Sequence, residues 1–215
     1  MILNDNIATL VHDMKNPLIA NERVFDLLLQ NAFGELNETQ ADVISQVKES
    51  CLYLKSIVRN IMDNYLLNSN GIILNCQKFD FGEVVNFVVE ELKPLADETS
   101  KEIKISCNKT FVFADKFQMK RVVTNLLGNA IKYSTKNSTI EIFSKQVNND
   151  YIFCVKNSSK PIKNLDRVFE KFESTSNSGL GLYLVKQIIT AHKGSVFAKE
   201  EGGGLYSFGF VIPNI

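Results

Sequence analysis

Two rhythms divide the chain. In one segment Ile44, Val47, Cys51, Leu54, Val58, Ile61 and Tyr65 fall at alternating steps of three and four without a break, the pattern of an α-helix with a narrow apolar seam. The preceding segment repeats it with Val11, Met14, Leu18, Phe25, Leu28 and Ala32, and Asn21 is the one polar residue at a seam position. Between them, Phe33-Gly34-Glu35-Leu36-Asn37 supplies a glycine stop, and Asn37 with Gln40 three residues on has the spacing of a capping box. The spacing predicts two antiparallel helices joined by a short turn. A lone hairpin of this kind leaves one side of each seam uncovered, so two hairpins pairing into a four-helix bundle is the economical arrangement, and a homodimer is expected.

Around Asn68-Ser69-Asn70-Gly71 the heptads end in a turn-rich cluster, which places a domain boundary there and separates residues 1–70 from residues 71–215. Beyond it strands alternate with helices. Strands are predicted at 72–74, 103–106, 111–113, 139–145, 151–156, 195–199 and 206–212, and helices at 83–98, 116–133, 165–172 and 180–192. That order predicts an α/β sandwich, a mixed sheet covered by helices on one face. The fold class is therefore multidomain, an all-α antiparallel helical hairpin followed by an α/β domain.

Composition narrows the function. Hydrophobic residues make up 45% and charged residues 22% of the 215 residues, the balance of a globular protein with a core to bury. Lys+Arg and Asp+Glu are equal at 24 each, with no basic run, so nothing points to nucleic acid or to anionic lipid. Cys51, Cys76, Cys107 and Cys154 are widely spaced, which argues against a zinc site or a disulfide framework and suits a reducing cytoplasm. No segment approaches the roughly 18 consecutive apolar residues of a spanning helix, so neither secretion nor a membrane segment is expected in this chain.

Candidate chemistry begins on the first helix, at Val11-His12-Asp13-Met14-Lys15-Asn16-Pro17-Leu18. His12 lies beside the seam but off it, where it should face solvent. A histidine of ordinary pKa near ~6.5 is mostly neutral at pH 7 and keeps a ring lone pair able to attack an electrophile. Asp13 could accept the proton from the other ring nitrogen. Pro17 removes the donor that would have bonded the Asp13 carbonyl, so a kink is expected there. By spacing alone a His-Asp pair on a helix is more often a solvated face than a nucleophile.

The helix expected at 116–133 carries Asn125, Asn129, Lys132 and Tyr133 at steps of four, three and one, so two amides and an ammonium share one face. Amide oxygens suit a hydrated Mg²⁺ and a lysine suits phosphate, although amides at this spacing can equally be structural. Gly179-Leu180-Gly181-Leu182 then opens a helix, a turn that lets backbone donors approach phosphate at a positive helix end. Asp115 reads as an N-cap, and His192, beside Gly194, as a helix-end residue without chemistry.

Taken together and in order, these stretches resemble the boxes of sensor histidine kinases. Residues 12–18 are similar to the H-box, His-[Glu/Asp]-x-x-[Thr/Asn]-Pro-Leu. Residues 125–133 are similar over nearly every position to the N-box of the histidine-kinase, gyrase and Hsp90-type ATPases, whose ATP-binding fold is the Bergerat type. Residues 179–182 look like the G2 box, with Asn177 at the usual leading glycine, and Phe169 and Phe172 match the F-box. The resemblance implies ATP and Mg²⁺ as cofactors and a response-regulator receiver domain as partner. It implies that His12 is phosphorylated with Asp13 as acid-base partner, and that Asn16 orients a water that hydrolyses the regulator's phosphoaspartate. It also implies that Asn129 holds the metal, with Asn125, Lys132, Tyr133, Gly179, Gly181 and Leu182 around the nucleotide and residues 174–178 as a short ATP lid.

The G1 box departs from this pattern. The family's Asp-x-Gly-x-Gly aligns with Asn157-Ser158-Ser159-Lys160-Pro161, so Asn157 stands at the adenine-binding aspartate and Ser159 at a glycine. A neutral hydrogen bond contributes about 0.5–1.5 kcal/mol against about 1.5–3 for a charged one, which implies ATP binding weakened about tenfold. Ser207 aligns with a Ser/Thr that supports adenine recognition. Two functions remain open: an ATP-dependent histidine autokinase with phosphatase activity, or a phosphotransfer scaffold with a degenerate nucleotide site. A serine kinase or ATPase of the same superfamily is disfavoured by the hairpin. The sensor is expected on a larger membrane-associated protein or on a separate polypeptide.

Overall fold

The computed structural model describes residues 2–69, 72–171 and 180–214, and the chain divides into two compact units, residues 1–70 and residues 71–215. In the first unit, α1 (Ile2–Leu29) and α2 (Glu38–Ser69) pack antiparallel. The direction is fixed by three cross-helix contacts: Cys51 Sγ to the Leu18 carbonyl, an ion pair of Lys55 with Glu22, and Lys48 Nζ with Asp26 Oδ1 at 2.7 Å. The turn between them is built largely as its residues suggest. Gln40 N–H donates to Asn37 Oδ1 at 2.9 Å and Asn37 N–H donates to Gln40 Oε1 at 3.0 Å, a reciprocal capping box. The stop of α1, however, belongs to Asn31 rather than Gly34. Asn31 is left-handed (φ 59°), and the bonds from Ala32 N–H to the Leu27 carbonyl and from Asn31 N–H to the Leu28 carbonyl close a Schellman motif around it. Asparagine tolerates that conformation through its short polar side chain. Helix α1 runs through Pro17 as one element.

Apolar residues of this unit divide between two environments. Cys51 and Val58 are buried, whereas Val43, Val47 and Leu54 on α2 and Val24 and Leu27 on α1 remain exposed, Leu54 to 51%. Among the described residues no helix is long and apolar enough to cross a membrane.

The second unit pairs a five-stranded sheet with three helices. Its elements are β1 (Gln77–Asp80), α3 (Phe81–Glu98), β2 (Glu102–Cys107), β3 (Phe111–Ala114), α4 (Lys116–Tyr133), β4 (Thr139–Val147), β5 (Asp150–Ser158), α5 (Gly181–Ala191), β6 (Ser195–Gly202) and β7 (Leu205–Pro213). The main sheet has the order β2-β4-β5-β7-β6, with β2 and β4 parallel and the other pairs antiparallel, while β1 and β3 form a separate antiparallel ribbon. One face of the main sheet is covered by helices, and on it Ile140, Ile142, Phe153, Val155, Phe210 and Ile212 are buried with Val122, Val123, Leu126 and Leu127 of α4 and Val185, Ile188 and Ile189 of α5. Phe81, the first residue of α3 and wholly buried, seals one end of this core, its ring 4.9 Å from Tyr151, 5.4 Å from Phe153 and 6.1 Å from Phe210.

Two expected elements differ. Residues 72–74 form no strand: pairing starts at Gln77, because Asn75 N–H is diverted to the Asp115 carboxylate at 2.8 Å instead of a ladder partner. The helix expected at 165–172 is one 3₁₀ turn, Leu165–Arg167, closed by bonds from Arg167 to Asn164 and from Val168 to Leu165, with Phe169 buried beyond it. Phe172 lies outside the described residues.

The aromatic cluster at Phe81 yields a direct test. Phe81→Ala removes a buried ring from a packed core and should destabilise the second unit by about 3–5 kcal/mol in denaturant unfolding, while Phe117→Ala, at an exposed position of α4, should change stability by less than about 0.5 kcal/mol.

Candidate functional site

In the second unit α5 packs on α4, and the end of α4 meets the end of β5. Helix α4 is fixed at both of its ends. At the start Asp115 Oδ1 accepts from Gln118 N–H at 3.0 Å, the N-cap expected of it, and Oδ2 accepts from Asn75 N–H. At the far end the Ile131 carbonyl accepts from the ammonium of Lys101, a lysine only 8% exposed, and Thr135 N–H donates to the Ser158 carbonyl at 2.9 Å. An isolated bridge joins Ser134 to Ser159. The last turns of α4 therefore sit against the end of β5.

Helix α5 meets the amide-bearing side of α4 with its first residue. A Cβ built on Gly181 would lie 2.8 Å from Asn125 Oδ1 and 4.0 Å from Asn129 Nδ2, so any side chain there would have to displace the Asn125 amide. Asn125 Nδ2 donates to the Arg121 carbonyl at 2.8 Å, which holds that amide with its oxygen toward α5. Leu180, at the start of α5, makes no side-chain cap, and a helix start is a place where an anion can be held. Leu182 follows in that turn and is half-buried. Lys132 and Tyr133 lie further along α4, both exposed, with the Lys132 ammonium 4.9 Å from the Tyr133 ring centre.

Asn157 lies near the end of β5 that meets α4. It is 2% exposed and shares the helix-covered face of β5 with Phe153 and Val155. No hydrogen bond to its side-chain amide occurs among the described residues. Directly across the ladder stands Tyr206, also buried, whose hydroxyl accepts from Ile162 N–H at 3.4 Å. Ser207 is not brought to this site. In register it pairs with Lys156, so it lies on the other face of the sheet, where its hydroxyl donates to Glu201 Oε1 at 3.0 Å and holds that carboxyl below its usual range. The period-two pattern that makes Phe208, Phe210 and Ile212 inward also turns residue 206 inward and 207 outward, and it singles out Tyr206 in place of Ser207. Ser159, beside Asn157, turns its hydroxyl to the Lys160 carbonyl.

The remaining sequence candidates divide by description. Gly179 and the lid at 174–178 lie outside the described residues, as do the side chains of His12 and Asp13, whose backbone belongs to α1. Asn16, one turn after His12 on the same helix face, is exposed. Among the described residues no group of three His, Cys, Asp or Glu side chains gathers as a metal site, so a divalent ion held by Asn129 would rest on amide oxygen, phosphate and water.

Residues 114–214 match the family model described as histidine kinase-, DNA gyrase B- and HSP90-like ATPase. This region is an ATPase domain of that type. Its amide-bearing helix and the glycine turn at Gly181 both lie within the matched span. Over 93% of its length the chain is 28% identical to the probable sensor protein PcoS of Escherichia coli, and it spans 44% of that protein. The sensor histidine kinase HprS of Escherichia coli is 28% identical over 86% of the chain, which spans 42% of it. Full-length ShkA, solved in complex with AMPPNP, superposes with a TM-score of 0.78 at 25% identity over 98% of this chain and 46% of ShkA. The chain thus carries a histidine-kinase-type ATP-binding domain and corresponds to less than half the length of each of these relatives.

A second, half-buried histidine ties the two site helices together. His192, the C-cap of α5, directs Nδ1 at the Ile188 carbonyl (2.8 Å) and accepts at Nε2 from Asp115 N–H (3.0 Å), which requires the neutral ring. Burial pushes its pKa below the ordinary ~6.5, against the opposing pull of the Ile188 carbonyl and the Asp115 carboxylate. Below pH ~6.5 the unfolded chain binds a proton that the folded one resists, so stability is full above that pH and falls as pH drops toward the folded pKa. The unfolding midpoint should therefore decrease from pH 7.5 to 5.5, and His192→Gln should flatten that decrease.

Proposed function

We propose that the chain is the catalytic core of a sensor histidine kinase, which autophosphorylates His12 from Mg-ATP and passes the phosphoryl group to an aspartate of a response-regulator receiver domain. The observation that supports this reading is the close approach of Gly181 to Asn125 and Asn129, with the buried Asn157 at the end of β5 that α4 meets. The start of α5 and Lys132 would hold the phosphates, and the neutral Asn157 amide would meet the base. Gly179, Leu182, Tyr133 and Ser159 would contact the nucleotide as well. Mg²⁺ held through the Asn129 amide oxygen would offset the charge that builds on the phosphoryl oxygens.

In the transfer, a neutral His12 nitrogen attacks the γ-phosphorus, an N–P bond forms as the bond to the ADP oxygen breaks, and Asp13 takes the proton from the other ring nitrogen. A regulator carboxylate then displaces the imidazole to form an acyl phosphate. Asn16, exposed one turn on, would orient a water that hydrolyses that acyl phosphate, giving a phosphatase. The uncovered apolar residues Val43, Val47, Leu54, Val24 and Leu27 support pairing of two α1–α2 hairpins into a four-helix bundle, which makes the active protein a homodimer. The alternative, a phosphotransfer scaffold without nucleotide, is disfavoured by the retained polar lining at Asn125, Asn129 and Asn157.

Incubation with γ-labelled Mg-ATP should give an acid-labile, base-stable label on the chain. His12→Gln should remove it, and Asn129→Ala should reduce it at least about tenfold. Label that survives His12→Gln refutes the assignment of the acceptor, and transfer onto His12 from a phosphorylated regulator without any nucleotide binding would establish the scaffold instead.

A further inference from the structure

A site's selectivity for the base depends on which hydrogen-bond edge it presents, and here the group that would meet the base is a neutral amide. Asn157 is almost wholly buried, on the same sheet face as Phe153, Val155 and Tyr206, and its amide is unpaired among the described residues. An amide without a protein partner can meet a ligand atom. Ser134 bonds the Ala130 carbonyl, Ser159 the Lys160 carbonyl and Ser207 Glu201 across the sheet, whereas Tyr206 accepts from Ile162 N–H and keeps its own proton to donate. Asn157 has both an acceptor and a donor open.

We infer that the proposed nucleotide site accepts 6-oxopurine nucleoside triphosphates about as well as ATP, and that Asn157 sets this breadth. The inference rests on the reading that a nucleoside triphosphate binds with its base at Asn157. A 6-aminopurine presents an amino donor beside a ring-nitrogen acceptor, and a 6-oxopurine presents the reverse, a carbonyl acceptor beside a ring N–H donor. An amide carries one acceptor and one donor side by side, and a half-turn of its plane exchanges them, so it pairs with both edges. A carboxylate at the same place offers acceptors only; it would bind the amino edge and repel the oxo edge. Strong discrimination arises when a site's polar groups are left unpaired by the wrong ligand, and an amide free to turn leaves nothing unpaired.

Inosine triphosphate is the cleanest probe, because its base differs from adenine at this edge without adding the 2-amino group of guanine. In calorimetric titrations of the full chain, Mg-ITP should bind within about tenfold of Mg-ATP. The isosteric Asn157→Asp should separate the two by about 100-fold or more, strengthening ATP and losing ITP. The comparison on the native chain needs no variant, so a misfolded Asn157→Asp leaves the test intact. ITP binding more than about tenfold weaker than ATP overturns the inference while leaving the nucleotide site standing, as does an Asn157→Asp protein that folds and keeps the native ratio. Failure of both nucleotides to bind overturns the nucleotide reading and this inference with it.

Discussion

The contact between Gly181 and the two amides of α4 is the constraint from which the ATP-binding unit takes its form. A single methyl group on Gly181 would come within 2.8 Å of Asn125 Oδ1, so any side chain there would have to displace the Asn125 amide. The close approach places the uncapped start of α5 over the polar side of α4, and it needs α4 to be immobile. That is supplied at one end by Asp115, which caps α4 while its own N–H is held by His192 at the end of α5, and at the other by Lys101 on the Ile131 carbonyl. The same two helices are thus joined at the site through Gly181 and away from it through His192. Burying an ammonium and a neutral imidazole is costly unless each is hydrogen-bonded, and both are.

Much of this was legible in the residues, for identifiable reasons. The helix at 116–133 was readable to the residue because Asp115 caps it and the apolar face of Met119, Val122, Val123, Leu126 and Leu127 repeats at helical spacing. The Asn37–Gln40 capping box was equally readable, since it depends on two side chains three residues apart. What the residues did not disclose depends on partners distant in sequence. Nothing local distinguishes Asn31 from Gly34 as the stop of α1, or reveals that Asn75 bonds Asp115 and so forms no strand at 72–74. Lys101 and His192 carried no local signal, because their partners lie 30 and 77 residues away. Ser207 illustrates a different failure. Matching a motif position overrode the simple alternation that puts its side chain on the far face of the sheet.

The two units divide the chemistry by physical need. In the proposed reaction His12 must be reached by both a nucleotide and a regulator, and Asn16, one turn further along α1, is open to solvent. In the α/β unit, α4 and α5 approach closely at Gly181, and the buried Asn157 lies at the end of β5. The departure at Asn157 does not empty that site of polar character: it exchanges a charge for an amide of the same size in a position that stays buried.

Amide-resolved NMR of the full chain titrated with Mg-ATP addresses the central claim most directly. The account predicts saturable shifts of the Gly181 and Leu182 backbone amides and of the Asn129 and Asn157 side-chain amides, with the Lys101 and Ser138 backbone amides nearly unmoved. Unshifted Gly181 and Asn157 signals at millimolar nucleotide, or shifts confined to another surface, would contradict it.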